Sequence, residues 1–287
     1  MMECKRALVE TQGDLDAAAE LMRKSGLSKA DKKAARVAAE GTVAIERSQN
    51  NAVLVEVNCE TDFVARSDEF QAFAKDVARA ALSQAPAGLE ALLALNHGGG
   101  SSLDERRRVL IAKIGENISI RRFVRVTSPG PLGIYTHGSR IGALLALQGG
   151  DEALARDLAM HVAASNPAYI DVAGVPAETL DQERAMLIEQ TKAEKKPPEI
   201  IAKMVEGRLR KYVAEITLVG QPFVKDLDIS VEKLLKAAGA KVVQFVRYEV
   251  GAGIEKKQDD FVGEVMKQVK AQEKEQTAAK DDGPKKH

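Results

Sequence analysis

Along the chain the spacing of apolar and polar positions changes several times, and each change predicts an element. Residues 1–26 carry two short helical patterns. The second is entered through Gly13-Asp14 and places Leu15, Ala18, Ala19 and Met22 on one face. It is expected to stop at Gly26. Asp14 suits an N-cap because its carboxylate can accept the unpaired amides of the first turn, and Gly26 suits a C-cap because glycine tolerates the left-handed conformation. Two short helices bury little apolar area against the entropy of ordering them, so this segment predicts a weak fold that lacks a third helix. Lys29, Lys32, Lys33 and Arg36 follow in an Ala-rich stretch. That stretch reads either as a solvated linker helix or as a basic contact strip.

From Thr42 the period becomes two, and Ala52 to Val57 predicts a largely apolar strand. A polar loop over Asn58 to Asp68 comes next. Phe70, Phe73, Ala74, Val77 and Ala81 then recur at helical spacing until Pro86 and Gly88 break the pattern. His97 to Ser102 contains three successive glycines but no Lys-Ser/Thr pair after them, which favours a linker over a phosphate loop. A helix is predicted from Leu103. Ile118 to Val126 predicts an antiparallel strand with arginines on one face, and Tyr135 to Gly138 leads into an apolar strand over Ile141 to Leu147.

Parts of this pattern recur. Ala74-Lys75-Asp76-Val77-Ala78 matches Ala155-Arg156-Asp157-Leu158-Ala159, and Arg122-Phe123-Val124-Arg125 echoes Gln244-Phe245-Val246-Arg247. Two related α+β halves are implied. The first half carries the long connection Asn58 to Arg66 where the second has only Gln148-Gly149-Gly150. A loop elaborated in one copy is a candidate for function. Later, Ala177 to Lys195 and Glu199 to Tyr212 flank Pro197-Pro198 and predict an antiparallel helical hairpin. The second arm carries Ile200, Ile201, Met204, Val205, Leu209 and Tyr212 as a stripe expected to pack on the first arm. The polar tail from Lys267 to His287 is expected to fray.

Composition narrows the function. With 42 basic and 42 acidic side chains the formal charge is zero, so no global field favours nucleic acid or an acidic membrane. Seven Phe, four Tyr and no Trp are too few for rows of base-stacking side chains. Cys4 and Cys59 are unpaired in spacing, and the histidines His97, His137, His161 and His287 are scattered, which speaks against a zinc site or metal catalysis. Charges interrupt the first 25 residues, no secretory signal is expected, and no stretch reaches the roughly 18 apolar residues of a membrane span. With so few cysteines, a cytoplasmic location is the expectation. No Walker lysine, nucleophile triad or paired acid/base site is present, so the expectation is a binding protein and not an enzyme, with no cofactor and no metal.

Five strings, in order, carry a resemblance: Met1-Met2-Glu3-Cys4-Lys5, Thr61-Asp62-Phe63-Val64, Ile114-Gly115-Glu116-Asn117-Ile118, His161-Val162-Ala163-Ala164-Ser165 and Gly220-Gln221-Pro222-Phe223. Up to about residue 265 the chain resembles the bacterial translation elongation factor Ts family. The resemblance implies an α+β protein with a UBA-like helical N-terminal part and linker (1–36), a two-part core with antiparallel sheets (37–169 and 219–253), a helical hairpin (170–218) and a C-terminal module and tail (254–287). Against the family pattern, a helix before the Met-Met segment is missing, and a weakened N-terminal part is the expectation.

The resemblance also implies a guanine-nucleotide exchange factor for the GTPase elongation factor Tu. Thr61, Asp62, Phe63 and Val64 match the family's exchange motif, with Asp62 and Phe63 approaching the partner near its nucleotide-bound magnesium. Ile114, Gly115 and His137 match further contact positions, and Met1, Met2 and Lys5 match an N-terminal contact segment. Homodimerisation through the hairpin stays open. No membrane contact and no direct nucleic-acid binding are implied. Two bland readings compete: Phe63 could fold back on its own core, and His137 could be an internally bonded core histidine. From another class, Arg121, Arg122, Arg125 and the Lys29–Arg36 strip could form a basic surface of an RNA-associated or assembly protein.

Overall fold

The computed structural model describes residues 2–96, 100–192 and 197–255. Its elements are α1 (Met2–Glu10), α2 (Leu15–Lys33), β1 (Glu40–Ser48), β2 (Asn51–Cys59), α3 (Asp62–Ala65), α4 (Asp68–Gln84), α5 (Leu89–Ala94), α6 (Leu103–Ile114), β3 (Ile118–Thr127), β4 (Leu132–His137), β5 (Ile141–Gln148), α7 (Glu152–Ser165), α8 (Ala177–Lys192), α9 (Pro198–Ile216), β6 (Pro222–Phe223), β7 (Asp226–Ser230), α10 (Val231–Ala237) and β8 (Lys241–Glu249). Two three-stranded sheets, ordered β1-β2-β3 and β4-β5-β8, are antiparallel throughout. This is an α+β fold. Residues up to Gly253 form one compact unit; of the second, 254–287, only Ile254 and Glu255 are described.

Side-chain alternation explains the layers. On β2, Val53, Val55 and Val57 join Phe70, Phe73, Ala74 and Val77 of α4 in one core cluster, while Ala52 and Leu54 face the other way. On β5, Ala143, Leu145 and Leu147 pack with Leu158 and Val162 of α7, while Leu144 and Ala146 meet Ala52, Leu54 and Val126. The two sheets are therefore stacked between helices, and their central strands are buried on both faces. That accounts for near-continuous apolar runs where a half-exposed strand would alternate. Sheet contact is close at Gly142, where an added Cβ would stand 2.7 Å from the Leu54 Cδ1.

The internal repeat is real and extends to an irregularity. Phe123 stands opposite Val55, and Phe245 opposite Leu145. Each ladder then shifts register, between Glu56 and Val57 in one half and between Ala146 and Leu147 in the other. The bulge is a correction to the simple alternation expected for the 118–126 strand. It leaves Arg121 outside the pairing and lets Arg121 and Arg122 both reach Glu56.

Other expectations need correction. Helix α2 does not stop at Gly26 but runs to Lys33, and Ala30 is buried in the cluster shared with α4 and α6. Burial against another element, absent from a local reading, outweighs the cost of a mid-helix glycine. On the expected face only Ala18 is buried, whereas Leu15 and Met22 are exposed. Asp14 does cap the helix, accepting from the Asp16 and Ala17 amides at 3.0 Å each. Within the predicted 58–68 loop, Asn58 and Cys59 belong to β2 and residues 62–65 form a helical turn. The short helix α5 had no counterpart in the sequence reading, and residues 97–99 of the glycine-rich connection lie outside the described residues.

The hairpin closes on itself. Leu187 of α8 and Val205 and Leu209 of α9 are buried together, with Leu180, Ile201 and Tyr212 packed against them. Ile200, expected in the stripe, is exposed. At its base Ala168 and Tyr169 donate their amides to the Ile216 carbonyl at 2.9 and 3.2 Å, and Leu218 donates to the Tyr169 carbonyl at 2.8 Å. The chain ends entering and leaving the hairpin are thus already joined without it. Excising residues 178–212 with a short Gly/Ser bridge is therefore expected to leave a single cooperative thermal transition by circular dichroism. Loss of that transition would show that the hairpin closes the core.

Candidate functional site

Thr61 lies two residues past the end of β2 and starts a single helical turn. Its extended backbone and its hydroxyl, which accepts from the Val64 amide at 3.4 Å, make it the N-cap of α3. The turn is anchored from below: Ala65 is buried, Val64 packs against the α4 cluster, and Gln71 donates to the Ala65 carbonyl at 2.6 Å. With those two positions inward, Asp62 and Phe63 face out. Phe63 is 83% exposed, the largest exposure of any large apolar side chain among the described residues. The reading in which it folds back on the core is excluded. Asp62 pairs with Arg66 at 3.0 Å across one helical turn.

A polar knot fixes this turn against the end of α6. Glu116 accepts from the amides of Glu60 at 3.1 Å and Thr61 at 3.0 Å, and from the Thr61 hydroxyl at 2.6 Å. Asn117 returns the contact by donating its amide to Glu60 at 2.6 Å. Gly115 caps α6 at φ 92°, a left-handed conformation that glycine adopts without strain, and its carbonyl accepts from Lys33 at 2.6 Å. Ile114 is half-buried against the α4 cluster. The knot therefore brings the Thr61–Val64 segment, Ile114-Gly115 and the end of α2 to one place.

His137 reaches the same end of the sheets by another route. It closes β4 at a tight turn whose Ser139 carbonyl accepts the Val43 amide at 2.8 Å and whose Arg140 pairs with Glu40 at 2.6 Å. Glu40 stands opposite Cys59, two residues before Thr61. His137 is exposed, so its reading as a core histidine is also excluded. Among the described residues the buried histidine is His161, which bonds Gln221 through Nε2 at 2.9 Å and accepts the Val224 amide at Nδ1 at 3.2 Å. Burial holds its pKa below the ordinary value even though the Gln221 contact opposes this, and the ring serves to join α7 to the 221–224 turn.

Three expected contacts are less defined. Lys5 is exposed on α1, and no bond among the described residues ties it to the knot. Met1 lies outside the described residues, as does the side chain of Met2. Cys59, directly before the site, is buried and its thiol is pushed up to about 12, chiefly by burial and then by the carboxylates of Glu116 and Glu40. A thiol held protonated in this way is a poor nucleophile.

The arginines of the competing basic surface are largely engaged inside the protein. Arg121 and Arg122 pair with the buried Glu56 at 3.0 and 2.6 Å, donate to the Ala252 and Glu249 carbonyls, and Arg122 also lies 4.1 Å from the Tyr248 ring centre. Of the Lys29–Arg36 strip, Lys33 is held by Gly115, and Arg36 lies 3.6 Å from Glu60.

Sequence reasoning placed Glu60 in the elaborated loop, Glu116 and Asn117 in a resemblance string and Lys33 in the basic strip, but gave none of them this bonding role. A faint signal exists: an acidic residue directly after a helix-ending glycine sits where a carboxylate meets unpaired amides, but its partners are 55 residues away and spacing cannot name them.

The geometry describes a surface built for contact, with an apolar anchor and a carboxylate on a rigid turn, and comparison with known proteins gives its class. A family model described as elongation factor TS matches residues 60–252. Relatives named elongation factor Ts include those of Alkalilimnicola ehrlichii, 59% identical over 94% of this chain and 93% of the relative, Thioalkalivibrio sulfidiphilus, 58% identical over the same shares, and Legionella pneumophila, 52% identical over 94% and 93%. The chain belongs to the elongation factor Ts family, whose members act in translation elongation. Among the described residues no helix is long and apolar enough to cross a membrane.

Proposed function

We propose that this protein is a guanine-nucleotide exchange factor that binds the translational GTPase elongation factor Tu in the cytoplasm and promotes GDP release. The observation that carries this is Phe63, an almost fully exposed aromatic beside a carboxylate, on a turn pinned by its neighbours and not by its own burial. An exposed apolar group of this size held in a fixed place marks a contact surface. Phe63 wedges into the GTPase beside its nucleotide site, and Asp62 disturbs the charges that hold magnesium. Because magnesium neutralises the nucleotide phosphates, loosening it weakens GDP. Reciprocity then requires GDP to weaken this protein's binding by the same factor, so exchange runs through a ternary complex of low mutual affinity. The protein changes no covalent bond, needs no cofactor and binds no nucleic acid directly; any homodimer forms through the α8–α9 hairpin. Mixing the protein at micromolar concentration with elongation factor Tu carrying fluorescent GDP is expected to accelerate release. No acceleration would overturn the reading, and RNA binding with a steep salt dependence would replace it.

A further inference from the structure

The β2–α3 turn and the α6–β3 turn hold each other by exchanged carboxylates. Glu116 takes three donors from Glu60 and Thr61 at 2.6 to 3.1 Å, and Glu60 takes the Asn117 amide at 2.6 Å. Asn117 is buried and clips the same pair of turns to the chain after α2, donating to the Arg36 carbonyl at 2.8 Å and the Ala34 carbonyl at 3.4 Å. No helix cap or sheet ladder accounts for the Glu116 bonds.

We infer that Glu116 is the positioning residue for exchange: its carboxylate sets where the Asp62-Phe63 turn stands relative to Ile114-Gly115. This deepens the proposed function and rests on Phe63 being the partner contact. Thr61 is the pivot. Its hydroxyl donates to Glu116 and accepts from Val64, so the tilt of the single turn carrying Phe63 follows the place at which Glu116 holds Thr61. One helical turn has no stability of its own, since nucleation fixes several residues for a single hydrogen bond. Left free, it would have to be ordered on binding, and that entropy would be lost from affinity. Glu116 also directly follows Gly115, so one side chain sets the distance between the two contact segments.

A double-mutant cycle with the full chain tests this, reading fluorescent GDP release from elongation factor Tu over a range of exchange-factor concentrations. Glu116→Ala is expected to raise the half-saturating concentration about tenfold while melting stays cooperative. Glu116→Gln is expected to stay within about twofold of the parent, because its amide oxygen can still accept the two backbone amides and its NH2 can donate to the Thr61 hydroxyl. In a Phe63→Ala background, Glu116→Ala is expected to add less than about twofold, since the group it positions is gone. The inference is overturned if Glu116→Ala behaves as the parent, if it costs as much without Phe63 as with it, or if glutamine is as damaging as alanine. Should Glu116→Ala fail to fold, Glu116→Asp, which draws the carboxylate back by roughly 1.5 Å, enters the same cycle with the same expected loss and the same overturning results. If Phe63→Ala alone leaves release unchanged, the parent reading itself fails. If Phe63→Ala is impaired and Glu116→Ala is not, only the positioning role fails.

Discussion

Phe63→Ala is expected to weaken the complex with elongation factor Tu about ten- to a hundredfold while leaving the fold intact. Moving an exposed Phe into an apolar pocket stabilises the complex by roughly 1.5 to 3 kcal/mol. At 83% exposure the side chain adds little to its own protein's core, so melting is expected to move by no more than the roughly 0.5 kcal/mol typical of surface changes. Asp62→Ala should differ in kind. Its ion pair with Arg66 is an exposed pair one helical turn apart, which contributes only about 0.3 to 0.5 kcal/mol to the fold. Its effect is therefore expected in the maximal rate of GDP release more than in complex formation, because the apolar anchor remains. Titrating release against concentration separates the two: Phe63→Ala shifts the half-saturating concentration, Asp62→Ala lowers the plateau. A Phe63→Ala protein that melts many degrees lower yet stimulates release like its parent would place the contact at Ile114, Gly115 and His137 instead.

How much of this was legible depended on the range of the forces involved. Helix α4 and strands β2 and β5 were readable because burial imposes a period on neighbouring residues, and Phe63 stood out because an apolar residue in a polar run is a local anomaly. The repeat was visible in two short strings, and the structure extends it to matching bulges at Arg121 and Val243. The end of α2 was misplaced because the residue that carries it past Gly26, Ala30, is stabilised by a cluster built from α4 and α6. The role of Glu116 was invisible for the same reason: its three donors come from residues 55 and 56 positions earlier. Arg121 and Arg122 misled in the opposite direction. Two adjacent arginines on a strand look like surface charge until a bulge turns both toward one carboxylate.

That carboxylate carries the largest expected effect on stability. Glu56 has no solvent exposure, and it accepts from Arg121, Arg122, the Asn58 side chain at 3.2 Å and the Gly251 amide at 2.8 Å. It thereby ties β2 and β3 to the chain leaving β8. Glu56→Gln keeps the volume and removes the charge, so two guanidiniums lose their anion and an NH2 is turned toward donors. Breaking a buried pair costs about 3 to 5 kcal/mol, and because both arginines retain some access to water about 2 to 4 kcal/mol is expected here. For a unit of this size that lowers the melting temperature by roughly 5 to 15 °C. Acid should narrow the difference. Burial alone would raise the Glu56 pKa, but the Gly251 amide and then the two guanidiniums outweigh it and hold it below the ordinary 4.5. A carboxylate depressed in the folded state adds stability that is fully present above its unfolded value and is lost as pH falls through its folded one. The gap in melting temperature between the parent and Glu56→Gln is therefore expected to be constant above about pH 5.5 and to shrink below about pH 4.5. Melts across that range check it: a gap that stays constant down to pH 3 would mean that Glu56 supports the fold through shape and not through charge.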